Sequence, residues 1–175
     1  MEPDFVTIIA IDFEASCLPR HGRSYPIEVG IAGDGIERSW LIAPHADWAG
    51  WDWTAEAQAL HGLTREQIVQ DGLPPAQVLG ELALAVGGRR VVADSLIDRY
   101  WLATLAGAVG EPAPFVIHHA ADLFDEHGAD APRISAAMAF ADMHSAVRHR
   151  AIADARWLAA LIGHLTGGTG ALLPA

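Results

Sequence analysis

The run "IIAIDFEAS" (8–16) ends an apolar stretch with two carboxylates, Asp12 and Glu14, one residue apart. On a strand, alternate side chains share a face, which would bring these acids together with roughly 6–7 Å between their Cα atoms. Two such carboxylates repel, and each holds its proton more tightly unless positive charge lies between them. A hard divalent cation such as Mg²⁺ or Mn²⁺, which takes oxygen ligands, would supply that charge. A solvated acid pair in the loop after a strand fits the same letters. Two further stretches bear acids. "VVADSLIDRYWL" (91–102) holds Asp94 and Asp98. Here Ser95 and Asp98, three apart, also fit a helix-capping box, and Asp94 fits a cap. "HRAIADARWLAALI" (149–162) holds His149 and Asp154, five residues and so roughly 140° apart if both are helical. They can converge if His149 precedes the helix and Asp154 sits in its first turns. Arg148 and Arg150 flank the histidine and suit a phosphate-facing position.

These residues need a scaffold to meet. "DFVTIIAID" (4–12) reads as a buried strand, and "IEVGIAGDGIERSWLIAP" (27–44) as two strands joined by a hairpin turn at Gly33, Asp34 and Gly35. A tryptophan-rich loop (Trp48, Trp51, Trp53) follows, then a short helix and a longer one from about Pro75 to Val86, stopped by Gly87 and Gly88. Residues 89–94 predict a fourth strand, 96–105 a helix and 114–119 a fifth strand. The rest, to about Leu165, is alanine-rich and helical with a break near 148–150. Trp157, Leu158 and Leu161, at i+3, i+4 and i+7 from Asp154, form the apolar stripe that would pin the last helix to the sheet. Three strands followed by strands alternating with helices predict an α/β fold with a mixed five-stranded sheet. One domain over residues 1–175 is expected, with a frayed tail from about 166 to 175.

Composition narrows the function. The net charge is −11, and the sequence contains arginine but no lysine. A protein that grips long duplexes by counterion release carries a basic stripe, and only the clusters Arg89-Arg90 and Arg148-His149-Arg150 approach one here. Tight binding to extended duplex is therefore disfavoured. Action on a single chain end with metals is not, since metals bring their own positive charge. No apolar run nears the ~20 residues of a membrane span. The start lacks a basic n-region and a cleavage-like site, and Cys17 is the sole cysteine, so a cytoplasmic location is expected.

Taken together, these blocks resemble the DEDDh (DnaQ-like) 3′–5′ exonuclease family. "IDFEAS" is similar to its Asp-x-Glu motif, "ADSLIDRYWL" to the second motif with Asp98 as the motif acid, and "HRAIAD" to His-x₄-Asp. "LHGLT" (60–64) is similar to a His-Gly-Ile-Thr loop, and "EASCLP" to Glu-Ala-Thr-Gly-Leu-Pro with Cys17 replacing glycine. The blocks occur in order and span residues 8–162. Departures are Cys17 and Ala93-Asp94, where His-Asn is common.

The resemblance implies an RNase H-like fold, with three antiparallel strands then two parallel ones flanked by helices. It also implies two-metal phosphodiester hydrolysis, with Mg²⁺ or Mn²⁺ ions ~3.5–4 Å apart. Asp12, Glu14, Asp98 and Asp154 would hold the metals, Asp12 bridging them. His149 would take the proton of the attacking water, its unperturbed pKa of ~6.5 suiting a general base. Ser16 would meet the terminal 3′-hydroxyl region, Leu18 would wedge against the last bases, and His61 and Trp101 would line the pocket. For Leu18 and Trp101, core packing accounts for the residues equally well. The substrate would be single-stranded DNA or RNA 3′ ends, short ones given the acidity, and a homodimer is compatible because some relatives form one.

Two other functions fit the residues: a silent exonuclease-like module that binds nucleic acid or protein, and a small-nucleotide phosphodiesterase. The complete acid set favours an enzyme. Several motifs carry less. His118 and His119 face opposite ways on a strand and suit zinc poorly. "GIAGDG" is better a hairpin than a dinucleotide loop. The loop tryptophans are better packing than base stacking, and Cys17, without a nearby histidine, is better filler than nucleophile.

Overall fold

The computed structural model describes residues 7–145 and 148–167. Strands β1 (Ile8–Ala15), β2 (Pro26–Gly33), β3 (Ile36–Leu41), β4 (Arg90–Ala93) and β5 (Ile117–His119) form one sheet in the order β3-β2-β1-β4-β5. The first three strands are antiparallel, and β4 and β5 run parallel to β1. This is the mixed α/β sheet anticipated above. The β2–β3 turn is Asp34-Gly35 with φ of 51° and 72°. Both angles are positive, as a two-residue type I′ hairpin requires, which is why an Asp-Gly pair sits there.

Helices α1 (Ala55–His61), α2 (Arg65–Asp71), α3 (Pro75–Val86) and α4 (Ile97–Ala108) lie between β3 and β5 in sequence. Helices α5 (Ala120–Glu126), α6 (Ala131–His144) and α7 (Ala151–Thr166) follow β5. Alternation along β1 divides the protein into two cores. Ile9, Ile11 and Phe13 pack with Ile68, Val78, Leu82, Leu102 and Leu105 from α2, α3 and α4. Ala10 faces the other side, with Val92 and the apolar residues of α5, α6 and α7. Asp12 and Glu14 continue the even-numbered face, toward α7.

Local chemistry explains where the elements depart from expectation. One short helix was expected before α3, and there are two. Gly62 (φ 73°) ends α1, and Thr64 begins α2 with a capping box to Gln67. The alanine-rich region has a second break between α5 and α6, where Gly128 turns the chain at φ 54° and Asp130 caps the next helix. β5 starts at Ile117 rather than 114, since Pro114 has no N–H to donate and Val116 is 65% exposed. Trp48 stacks on Tyr25 at 5.4 Å, and Trp51 and Trp53 pack against the larger core, so these tryptophans hold their loop to the body. α7 runs to Thr166 and Gly167 caps it with φ 67°. The rest of the expected frayed tail, and residues 4–6 of the first expected strand, lie outside the described residues. Among the described residues no helix is long and apolar enough to cross a membrane.

Candidate metal centre

The ladder between β1 and β4 runs only from Ile8–Arg90 to Ala10–Val92. Past it, β4 ends and the chain turns into α4 through Asp94, Ser95 and Leu96. Asp98 reaches back across this opening and its Oδ1 accepts the Phe13 N–H at 3.2 Å. The carboxylate thus takes a β1 hydrogen bond that a longer β4 would have taken. Asp98 is 2% exposed. It does not cap its own helix: Leu96 is the N-cap residue, without a side-chain cap bond, and Ser95 Oγ accepts the Ile97 N–H at 3.3 Å.

On the other side of β1, Asp12 lies opposite Gly30 and Glu14 opposite Glu28 on β2. Helix α7 crosses this face at its N-terminus. A Cβ on Gly30 would fall 2.4 Å from the Ala151 carbonyl carbon and from Ile152 N, so only glycine permits the approach. Glu28, 2% exposed, fixes the helix end. It accepts Arg150 Nε at 2.9 Å, Arg150 Nη2 at 2.6 Å and the Ala151 N–H at 3.0 Å. A bidentate guanidinium plus a helix N-terminal amide satisfies the buried carboxylate, which would otherwise be costly to desolvate.

With α7 so held, Asp154 in its first turn faces β1. His149 lies just before the helix in the left-handed region, at φ 64°, and its backbone N–H donates to Asp154 Oδ2 at 2.7 Å. Arg148 Nε donates to Asp154 Oδ1. The two residues therefore converge by the loop-then-helix route. Among the described residues two groups of acids result. Carboxylate oxygens of Asp12, Glu14 and Asp154 lie within 4.8 Å of one another, and so do those of Asp12, Asp94 and Asp98. Asp12 belongs to both. Asp94, which the sequence suggested as a cap, joins the second group. Its signal was an acid directly after a strand whose neighbour is the acid-bearing β1. All-oxygen, all-anionic donor sets of this kind fit hard divalent cations such as Mg²⁺ or Mn²⁺.

Without cations the acids load one another. Asp12 is held well above the usual carboxylate range, chiefly by burial and then by the charges of Asp98, Glu14, Asp154 and Asp94. Burial, with Asp154 and Glu28, pushes Glu14 up to about 8, against the pull of Arg150. Asp98 is also raised well above its ordinary value by burial and Asp94, although the Phe13 N–H favours its anion. Burial and Asp154 raise Asp94, which Arg148 and His119 partly offset. A carboxyl that binds its proton more tightly in the folded chain than in the unfolded one favours unfolding once the unfolded chain ionises. For Glu14 that window opens near its ordinary 4.5 and closes near 8. The melting temperature of chelator-treated protein should therefore fall as pH rises from about 5 to about 8, by roughly 5 °C. Added Mn²⁺ should remove most of the decline in a thermal melt. A flat or rising profile in chelator contradicts the mutual loading of these acids.

The other residues singled out in the sequence have partners of their own. Ser16 is fully buried, and its Oγ accepts the Tyr25 N–H at 3.1 Å. Leu18 is 38% exposed, just before a short 3₁₀ turn at Pro19–His21. His61 is buried edge-on to Trp53. Its Nδ1 accepts the Leu63 N–H at 3.0 Å, which puts the proton on Nε2, a buried atom with no hydrogen-bond partner among the described residues. Burial drives its pKa down, so the ring is neutral at pH 7. Trp101 packs in the larger core and donates Nε1–H to Ser24 Oγ at 3.0 Å. Cys17 is buried, and burial raises its thiol pKa, which suits filler.

No protein-family model matches the chain, and no curated protein matches it in sequence. Solved structures do match in fold. A full-length 3′-exonuclease superposes with a TM-score of 0.68 at 16% identity, over 94% of this chain and 84% of that one. A moderately thermophilic exonuclease I from Methylocaldum szegediense gives 0.60 at 16% identity, over 93% of this chain and 40% of that one. The zinc-bound form of an E. coli exonuclease I–single-stranded DNA complex gives 0.65 at 12% identity, covering 93% and 41%. The chain thus spans about two fifths of the length of the exonuclease I structures it matches. At these identities the likeness is one of fold.

Proposed function

We propose that this chain is a metal-dependent 3′–5′ exonuclease. It hydrolyses phosphodiester bonds at single-stranded DNA or RNA 3′ ends and releases nucleoside 5′-monophosphates. The observation that carries this reading is the pair of carboxylate groups sharing Asp12, with His149 tied by its backbone to the acid at their rim. The fold shared with 3′-exonucleases supports it. So does the zinc-bound, DNA-bound state of one such structure.

Asp12, Glu14 and Asp154 would hold one Mg²⁺ or Mn²⁺, and Asp12, Asp98 and Asp94 the second. Bound cations supply charge to the phosphoryl oxygens and acidify a water nucleophile. The chain's own residues do the rest. His149, exposed beside Asp154, accepts the proton of the attacking water at its imidazole. Glu28 and Arg150 keep the α7 end, and so Asp154, against β1. Leu18 meets the terminal base from the rim, with Ser16, His61 and Trp101 forming the wall beneath it. One exonuclease-like domain over residues 1–175, acting in the cytoplasm on short ends, completes the proposal.

The test is 5′-labelled single-stranded DNA, RNA and dinucleotides incubated with Mg²⁺ or Mn²⁺. Stepwise shortening from the 3′ end is expected, and His149→Ala should lower kcat by about 10²–10⁴-fold with little change in oligonucleotide affinity. Binding without product from any of these substrates would instead identify a silent binding module. Cleavage of dinucleotides alone would identify a small-nucleotide phosphodiesterase.

A further inference from the structure

Asp154 has both oxygens engaged by the two residues at the start of one segment. Arg148 Nε donates to Oδ1, and the His149 N–H donates to Oδ2. The Arg148 guanidinium also lies over the Trp157 ring, 4.4 Å from its centroid and one helical turn beyond Asp154. Arg148 keeps 37% of its side chain exposed, whereas Asp154 keeps 11%. The same guanidinium favours the anion of Asp94, so its charge reaches the second acid group as well as the first. Arg150 is paired with Glu28, whereas the Arg148 guanidinium is paired with Asp154, itself one of the metal-binding acids.

From this arrangement we infer that Arg148 is an internal counter-cation for Asp154, which a divalent ion must displace to load the site, and which then engages the substrate phosphate. This rests on the metal-dependent reading above. Arg148 Nε already holds an acceptor position of Oδ1, and a divalent ion drawn to the same carboxylate repels the guanidinium at close range. Trp157 provides a resting surface on which the planar group can turn without leaving the rim. A planar fork released beside a cation-loaded site matches two oxygens of a phosphate, which a lysine ammonium does not. Arg148 thus couples the two ligands: metal frees the fork, and phosphate keeps it away from Asp154.

The experiment measures Mn²⁺ binding by calorimetry and by the loss of the free-ion electron-paramagnetic-resonance signal. Wild type, Arg148→Met and Arg148→Lys are compared, with thermal melts confirming that each is folded. Arg148→Met should bind Mn²⁺ about fivefold more tightly, as expected for loss of a partly exposed competing ion pair. It should also bind a single-stranded oligonucleotide more weakly in Ca²⁺ and show a raised KM. Arg148→Lys should keep Mn²⁺ affinity near wild type yet share the phosphate defect. An arginine that merely braced the loop would predict weaker metal binding on truncation. Unchanged or weaker Mn²⁺ binding by Arg148→Met therefore overturns this inference while leaving the exonuclease reading intact. Absence of Mn²⁺ binding by wild type and both variants overturns the two together.

Discussion

Asp12→Asn should lower metal-dependent turnover by at least ~10³-fold and, in chelator, raise the melting temperature. Both effects follow from one position. Asp12 is the residue shared by the two acid groups, so neutralising it weakens both at once. Its carboxyl also feels four neighbouring acids, and removing its charge relieves that repulsion in the metal-free fold. An amide of the same shape keeps the strand and its packing. The gain in melting temperature should be a few degrees, roughly what ~1 kcal/mol yields in a chain of this size. Added Mn²⁺ should then stabilise the variant far less than wild type. A variant that loses both activity and stability would point to a folding role for Asp12 instead.

Gly30→Ala is the second large effect, and it acts through the backbone opposite Asp12 without touching an acid's own charge. The added methyl would fall 2.4 Å from backbone atoms of Ala151 and Ile152, which cannot rotate away as a side chain can. Either the first turn of α7 lifts from β2 or β2 bends. Overpacking of this kind costs ~1–3 kcal/mol, or about 3–10 °C in melting temperature. The larger consequence is positional. Lifting the α7 end separates Asp154 from Asp12 and Glu14 and strains the Glu28–Arg150 clamp, so turnover should fall about 100-fold even where the protein remains folded. Gly80→Ala is the matched comparison. That glycine lies in α3 with nothing within 4 Å of its added Cβ, and alanine there should stabilise by ~0.5–1 kcal/mol with turnover unchanged. Equal behaviour of the two variants would remove the steric explanation.

The sheet was legible in the sequence where local pattern decides structure. Alternation on β1, the Asp34-Gly35 turn, and the Gly87 stop after α3 are each written within a few residues. The two-part capping at 54–64 was equally local, yet a histidine–glycine step there looks like one motif when it is a helix stop followed by a helix start. Asp98 marks the limit. Its letters fit a capping box with Ser95 as well as they fit a metal ligand, and its real partner, the Phe13 N–H, lies 85 residues away. No window along the chain contains that bond. Asp94 is similar, because its membership of the second acid group depends on β4 ending opposite the middle of β1. Glu28 and Arg150 could be suspected of pairing with opposite charges, but that they pair with each other, and so set the last helix, appears only in three dimensions.

The Phe13 amide has an unusual acceptor for a central strand, since its hydrogen bond ends on a titratable carboxylate instead of a carbonyl. Ladder amides nearby exchange with solvent only when the sheet opens, whereas this proton answers to whatever draws on Asp98. Its exchange rate and its nuclear magnetic resonance shift should therefore follow occupancy of the acids, while Ile9 and Ile11 on the same strand remain silent. The backbone itself carries a reporter, one that needs no label and no substrate.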